Sequence, residues 1–202
     1  GIRGAVIRIC KDDSITSEIS RKNGFIYASA NVTKETFIKF GIKHNFSGFQ
    51  WMAGIPGVIG GGIIMNAGTN LGTFVDILHS VDVLYQDGKL ENISISKENS
   101  SYRKIHLPKE IVVLGGYFIL LEGNGENVKK EVTEIITERN EKHPVQYPSA
   151  GSVFKNPEGY SSWKLINDAG LKGKQVGGAK ISELHTNFII NAGNATSNNI
   201  KS

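Results

Sequence analysis

Glycine sets the terms on which this chain folds. Residues 54–72 read GIPGVIGGGIIMNAGTNLG, and such a run makes no stable isolated helix or strand, because glycine loses more backbone freedom on ordering than any other residue. There are 24 glycines in 202 residues, about one in eight against a usual ~7%, and they cluster instead of recurring at a fixed period. A collagen-like or solenoid repeat is excluded, and a place where backbone approaches something closely is predicted. The spacing GxxGxxGGG, followed by Asn66-Ala67-Gly68, suits backbone N–H groups turned towards a phosphate or pyrophosphate. The candidate contacts are Pro56, Gly57, Gly60, Gly61, Gly62, Asn66 and Gly68. The pattern is neither a Walker loop, which ends in Gly-Lys-Ser/Thr, nor the GxGxxG turn of dinucleotide-binding folds. A tightly packed structural loop is the other explanation.

Outside this run the composition is that of a globular protein, with 39% hydrophobic and 21% charged residues. A net charge of +4 admits an anionic ligand, but Lys and Glu alternate without a basic block, so nucleic acid is not expected. The single cysteine, Cys10, makes no internal disulfide, and no Cys/His pattern has metal-ligand spacing. A reducing, cytoplasmic protein without a metal is the expectation. The longest apolar runs, 111–114 and 117–121, fall far short of the ~20 residues needed to cross a bilayer, and no signal peptide is visible.

Alternation predicts strands over 4–9 and 24–30. Thr33 then caps a helix with Phe37, Ile38 and Ile42 on one face, ending at Gly41 or Asn45. Strands over 76–84 and 89–95 flank Gln86-Asp87-Gly88, a hairpin signature, and the apolar stretch 111–121 reads as a central strand. Asn127 caps a helix over 128–141 with Val128, Val132, Ile135 and Ile136 inward, stopped by Pro144 and Pro148. The segment 143–150 is therefore the expected domain boundary. Beyond it come a strand holding 152–155, a helix over 161–169, strands around 176–181 and 187–191, and the start of a helix from Ala195.

Three places carry chemistry-bearing side chains. In GSVFKNP at 151–157, strand alternation puts Ser152 and Phe154 on one face, Val153 and Lys155 on the other, and Asn156 at the exit. A hydroxyl on an apolar strand is commonly a hydrogen-bonded core group, whereas the Lys-Asn-Pro exit points to a polar ligand. No histidine has an obvious claim on Ser152, so a hydrolase triad is weak. Arg103, after Tyr102 in a polar loop, is either a surface charge or a fixed cation for a developing oxyanion. His185 lies between two apolar strands and suits a core position as well as a ligand contact.

Read together, GIPGVIGGGIIMNAG at 54–68, Tyr102-Arg103, PSAGSVFKNP at 148–157, LINDAGLKGKQVGGAKIS at 165–182 and HTNFIINAGNAT at 185–196 resemble the UDP-N-acetylenolpyruvoylglucosamine reductase family. These flavoenzymes complete UDP-N-acetylmuramate synthesis for bacterial peptidoglycan. The resemblance covers nearly the whole chain, and the stretch between Leu121 and Pro144 looks like the shorter of the family's two subtypes. It implies an α+β fold: a central FAD-binding α+β domain over 1–143, the second half of the family's cofactor region, and a smaller α/β substrate-binding domain over 144–202, C-terminally incomplete. It also implies FAD held by the glycine-rich segment, NADPH as hydride donor, UDP-N-acetylglucosamine enolpyruvate as substrate, and a bacterial cytoplasmic enzyme with no nucleic-acid or membrane partner.

By the same resemblance, Ser152 matches the serine that protonates C2 and Arg103 the arginine that stabilises the enolate-like intermediate. Tyr102, Lys155, Asn156 and His185 match positions facing the UDP-sugar. The chain departs from the family pattern in having no counterpart of its GGGSN-type flavin loop or of its C-terminal catalytic glutamate. Lys104-Ile105 also follows Tyr102-Arg103 where a serine is usual. An FAD-linked oxidase of the same broad fold, which would lack GSVFKNP, and a catalytically silent nucleotide-sugar binding module are the competing functions.

Overall fold

The computed structural model describes residues 19–202, so the strand expected over 4–9 and Cys10 lie outside the described residues. The chain divides into two compact units, Gly1–Ile136 and Thr137–Ser202.

In the first unit, β1 (Ile19–Lys22) and β2 (Phe25–Ser29) form a hairpin through Asn23 and Gly24. α1 (Lys34–Lys43) starts where the Thr33 hydroxyl oxygen accepts the Thr36 amide at 3.0 Å, the expected cap. It buries Lys34, Phe37, Ile38 and Gly41, the i, i+3, i+4, i+7 stripe of a helix packed on one side. Gly41 does not end the helix. It lets the helix lie against Phe49, whose ring would be 2.2 Å from a Cβ there. Asn45, at φ 56°, follows the terminal His44.

Where the glycine run allowed no stable isolated element, a six-residue helix forms, α2 (Ile59–Ile64). β3 (Leu78–Tyr85) and β4 (Leu90–Ser94) make the predicted hairpin around residues 86–88. β5 (Ile111–Phe118) pairs on both sides, in an antiparallel sheet of order β1-β2-β5-β3-β4, so the most apolar strand is the central one. Helices α1 and α2 and the sheet enclose four fully buried phenylalanines, 37, 49, 74 and 118. Phe37 and Phe74 meet Phe118 at centroid distances of 4.9 and 6.1 Å.

α3 (Gly125–Lys142) begins ahead of the expected start because Asn124 makes the first-turn contact, its Oδ1 accepting the Asn127 amide at 3.1 Å. Val128 and Val132 are buried, whereas Ile136, expected inward, is 38% exposed. The helix passes through the division of the chain at Ile136/Thr137 and stops before Pro144, which cannot continue it.

In the second unit, β6 (Ser149–Ser152), α4 (Ser162–Asp168), β7 (Gln175–Val176), β8 (Ala179–Ile181), β9 (Phe188–Asn191) and α5 (Ser197–Lys201) follow in order. The strands form an antiparallel sheet, β6-β9-β8-β7. Two expectations are corrected. The stretch 176–181 is two strands folded back at Gly177-Gly178. β6 ends at Ser152, because the bulge between Ser149 and Ser152, with Gly151 at φ 81°, turns the chain out of the ladder, so strand alternation does not govern 153–156. Both units mix helix and strand, and the fold is α+β as expected. Among the described residues no helix is long and apolar enough to cross a membrane.

Candidate functional site

The seven candidates of the glycine segment separate by what surrounds them. Gly60, Gly61 and Gly62 are helical, so the left-handed nest read from the sequence is not the reason for glycine there. A Cβ on Gly60 would lie 2.8 Å from the Ala30 side chain, and one on Gly62 2.3 Å from the Phe74 ring. These two glycines let α2 dock on the core. Gly68 is buried too, where a Cβ would lie 2.4 Å from the Gly72 carbonyl oxygen. The buried Asn66 spends its amide inside the protein, accepting from the Val75 N–H at 3.1 Å and donating to the Ser101 carbonyl at 3.3 Å. Pro56, Gly57 and Gly61 are exposed. Gly57 has φ 97°, and at Gly61 an added Cβ would meet nothing within 4 Å.

Asn66 also joins this segment to Tyr102 and Arg103, which form the tip of a short hairpin between Ser100–Ser101 and Lys104–Ile105. Arg103 sits at φ 61°, a left-handed conformation that is uncommon and costly for a residue with a Cβ. Its guanidinium carbon lies 5.0 Å from the Tyr102 ring centroid, and among the described residues no carboxylate pairs with it. It is a cation free to meet an anionic group.

In the second unit, Ser152 is exposed, and among the described residues its hydroxyl has no hydrogen-bond partner, so the core explanation for it fails. Asn187, 4% exposed and not singled out from the sequence, clamps the chain just beyond. Its carbonyl accepts from the Val153 N–H at 2.9 Å, its Oδ1 from the Phe154 N–H at 3.0 Å, and its Nδ2 donates to the Phe154 carbonyl at 2.8 Å. Ser162 does the same for the strand exit: its amide donates to Asn156 Oδ1 at 2.9 Å and its hydroxyl to the Lys155 carbonyl at 2.7 Å. The Asn156 Nδ2 and the Lys155 ammonium stay exposed as donors. An apolar recess of about 220 Å³ in this unit is lined by Phe154, Ile166, Leu171, Ile189 and Ile200 among others, but not by Ser152, Lys155, Asn156 or His185.

His185 is half-buried and stacks on His143, ring centroids 5.3 Å apart, with Phe188 across its edge at 4.8 Å. Burial pushes both imidazoles below their ordinary value, and the His143 charge adds to the effect on His185. A base with a depressed folded-state pKa binds fewer protons folded than unfolded. Its contribution to stability is present above the unfolded value and is lost as pH falls through the folded one. The melting temperature should therefore fall as pH drops from 7 to about 5, and the fall should shrink in His143→Phe. A profile identical in the variant would show that the pair does not titrate with unfolding.

One unit with an antiparallel sheet and a glycine helix docked on its core, and another that presents at a strand end a serine hydroxyl without a partner among the described residues, define a two-unit α+β protein. Residues 143–202 match the family model described as UDP-N-acetylenolpyruvoylglucosamine reductase, C-terminal domain. The UDP-N-acetylenolpyruvoylglucosamine reductase of Caldanaerobacter subterraneus subsp. tengcongensis is 42% identical over 197 residues, 97% of this chain and 64% of the relative. That of Rickettsia akari is 36% identical over 201 residues, 100% of this chain and 67% of the relative. A crystal structure of UDP-N-acetylenolpyruvylglucosamine reductase from Thermus caldophilus superposes with a TM-score of 0.78 at 34% identity, over 87% of this chain and 65% of that one. The chain belongs to the UDP-N-acetylenolpyruvoylglucosamine reductase family. It spans about two thirds of the length of the curated relatives it matches.

Proposed function

We propose that this chain is the larger part of a bacterial cytoplasmic enzyme that contains FAD, takes hydride from NADPH and reduces UDP-N-acetylglucosamine enolpyruvate to UDP-N-acetylmuramate for peptidoglycan. The observation that carries this reading is identity at 36–42% along nearly the whole chain with proteins named as that reductase. The glycine segment suits the cofactor's diphosphate: Gly57 and Gly61 are exposed, Gly57 has φ 97°, and the space beside Gly61 is one a Cβ would enter. When bound, FAD would supply hydride transfer from NADPH to C3 of the enolpyruvyl group.

The chain's own groups then handle charge and protons. The Ser152 hydroxyl is a weak acid, so it delivers its proton only to a strongly basic centre, the carbanionic C2 left by hydride addition at C3. Arg103 stabilises the negative charge shared between C2 and the adjoining carboxylate, through the planar, two-pronged contact a guanidinium makes. Tyr102, Lys155, Asn156 and His185 hold the UDP-sugar, Lys155 and the Asn156 Nδ2 as exposed donors.

The test is spectroscopic. The full-length protein should show flavin bands near about 370 and 450 nm that NADPH bleaches and the enolpyruvyl substrate restores. Gly61→Val separates cofactor binding from folding, since an added Cβ there meets nothing within 4 Å and valine is a better helix former than glycine by a few tenths of a kcal/mol, on the order of their propensity difference. Flavin content should drop at least about tenfold with the melting temperature of the apo-protein kept. Gly60→Val meets Ala30 and should lose fold and flavin together. Full flavin content in Gly61→Val would remove the glycine segment from the cofactor site.

A further inference from the structure

Lys34 is badly placed for the helix it begins. It stands in the first turn of α1, where the helix dipole disfavours a cation, and it is 4% exposed. Its ammonium donates to the Pro56 carbonyl at 2.8 Å and its backbone N–H to the Gly57 carbonyl at 3.1 Å, so one residue grips both peptide units of the Pro56-Gly57 turn. Among the described residues no carboxylate pairs with it. The neighbouring Glu35 is taken by Lys39 at 2.6 Å. A methionine would fill the same stripe beside Phe37, Ile38 and Gly41 without placing a charge in the interior, where an ion without an anionic partner is unfavourable. Burial holds the ammonium below the usual lysine range.

The geometry of the turn says where that partner lies. In a trans peptide the carbonyl and the N–H point in opposite directions. No cis bond occurs among the described residues, so the Pro56 carbonyl, drawn inward to the ammonium, sends the Gly57 N–H outward. That N–H has no partner among the described residues, and Gly57 is exposed. The ammonium stands 3.3 Å from the point a Gly57 Cβ would occupy, so one glycine separates the buried charge from the outer face.

We propose that Lys34 is a positioning residue and buried counter-charge for a diphosphate bound on the outer face of the Pro56-Gly57 turn. It aims the Gly57 N–H at the anion and neutralises it across the turn without touching it. This rests on the cofactor reading above.

The test compares two ligands on the apo form of the full-length protein, followed by flavin fluorescence: FAD, which carries the diphosphate, and riboflavin, which does not. In Lys34→Met the dissociation constant for FAD should rise about 10- to 100-fold while that for riboflavin stays put, and the apo-protein should melt no lower than wild type. If Lys34→Met does not fold, Lys34→Gln, which keeps a donor to Pro56 but no charge, is held to the same pattern. Failure of both to fold would make Lys34 a structural residue and overturn the inference. Equal weakening of both ligands would overturn it in the same way, and unchanged FAD affinity would overturn it alone. A wild-type protein that takes up no FAD would overturn the cofactor reading as well.

Discussion

Ser152→Ala in the full-length enzyme is expected to leave flavin reduction by NADPH nearly intact while slowing reoxidation by the enolpyruvyl substrate about 10²- to 10⁴-fold, the usual contribution of a general acid. On the proposed mechanism the two half-reactions come apart, because only the second would consume the serine proton. The surroundings make the variant clean. The hydroxyl is exposed and without a partner among the described residues, and the chain beyond it is held by Asn187 through Val153 and Phe154, so stability should change by no more than about 0.5 kcal/mol. Ser152→Cys should retain more activity than alanine, since a thiol carries a transferable proton with a reference pKa near ~8.5. Stopped-flow absorbance measures both steps separately. A second half-reaction at wild-type rate in Ser152→Ala would reduce Ser152 to a binding contact.

Arg103 should show the opposite signs of stability and activity. At φ 61° it holds a conformation that costs an L-residue about 1–2 kcal/mol and a glycine almost nothing, so Arg103→Gly should melt at or above the wild-type temperature. The same variant should lose about 10²- to 10³-fold in kcat with a much smaller change in KM, as when a donor to a developing oxyanion is removed. Arg103→Lys should not rescue it, because a point charge on a flexible stem cannot reproduce the planar fork. A pure KM effect would make Arg103 a binding residue, and a falling melting temperature in the glycine variant would mean the strain is absent.

Much of the first unit could be read locally because local chemistry specifies it. The Thr33 cap, the hairpin at 86–88 and the apolar run that became the central strand each depend on a handful of neighbouring residues. The glycine segment could not be read this way. Its helix forms because Gly60 meets Ala30 and Gly62 meets Phe74, so the cause of the local structure lies far along the chain. The seven cofactor candidates therefore read as one set in the sequence, although only Pro56, Gly57 and Gly61 are exposed.

Lys34 had a visible signal in its spacing to Phe37, Ile38 and Gly41, but lysine at the start of a helix reads as solvent-facing until its burial is seen. Asn187 offered less. Whether an asparagine after His185-Thr186 caps, turns or clamps depends on which strand passes beside it, and here that is the run leaving Ser152.

The amide of Asn66 ties Val75 to Ser101, so the residues closing the glycine helix and those leading to Arg103 share one fastening. A ligand that orders one of these segments would then order the other, so that the conformational entropy of the pair would be lost once. If the proposed cofactor and substrate meet these two segments, whichever arrives second would find the Arg103 hairpin already ordered. Affinity between the two ligands would in that way be linked through rigidity alone, with no displacement of the backbone.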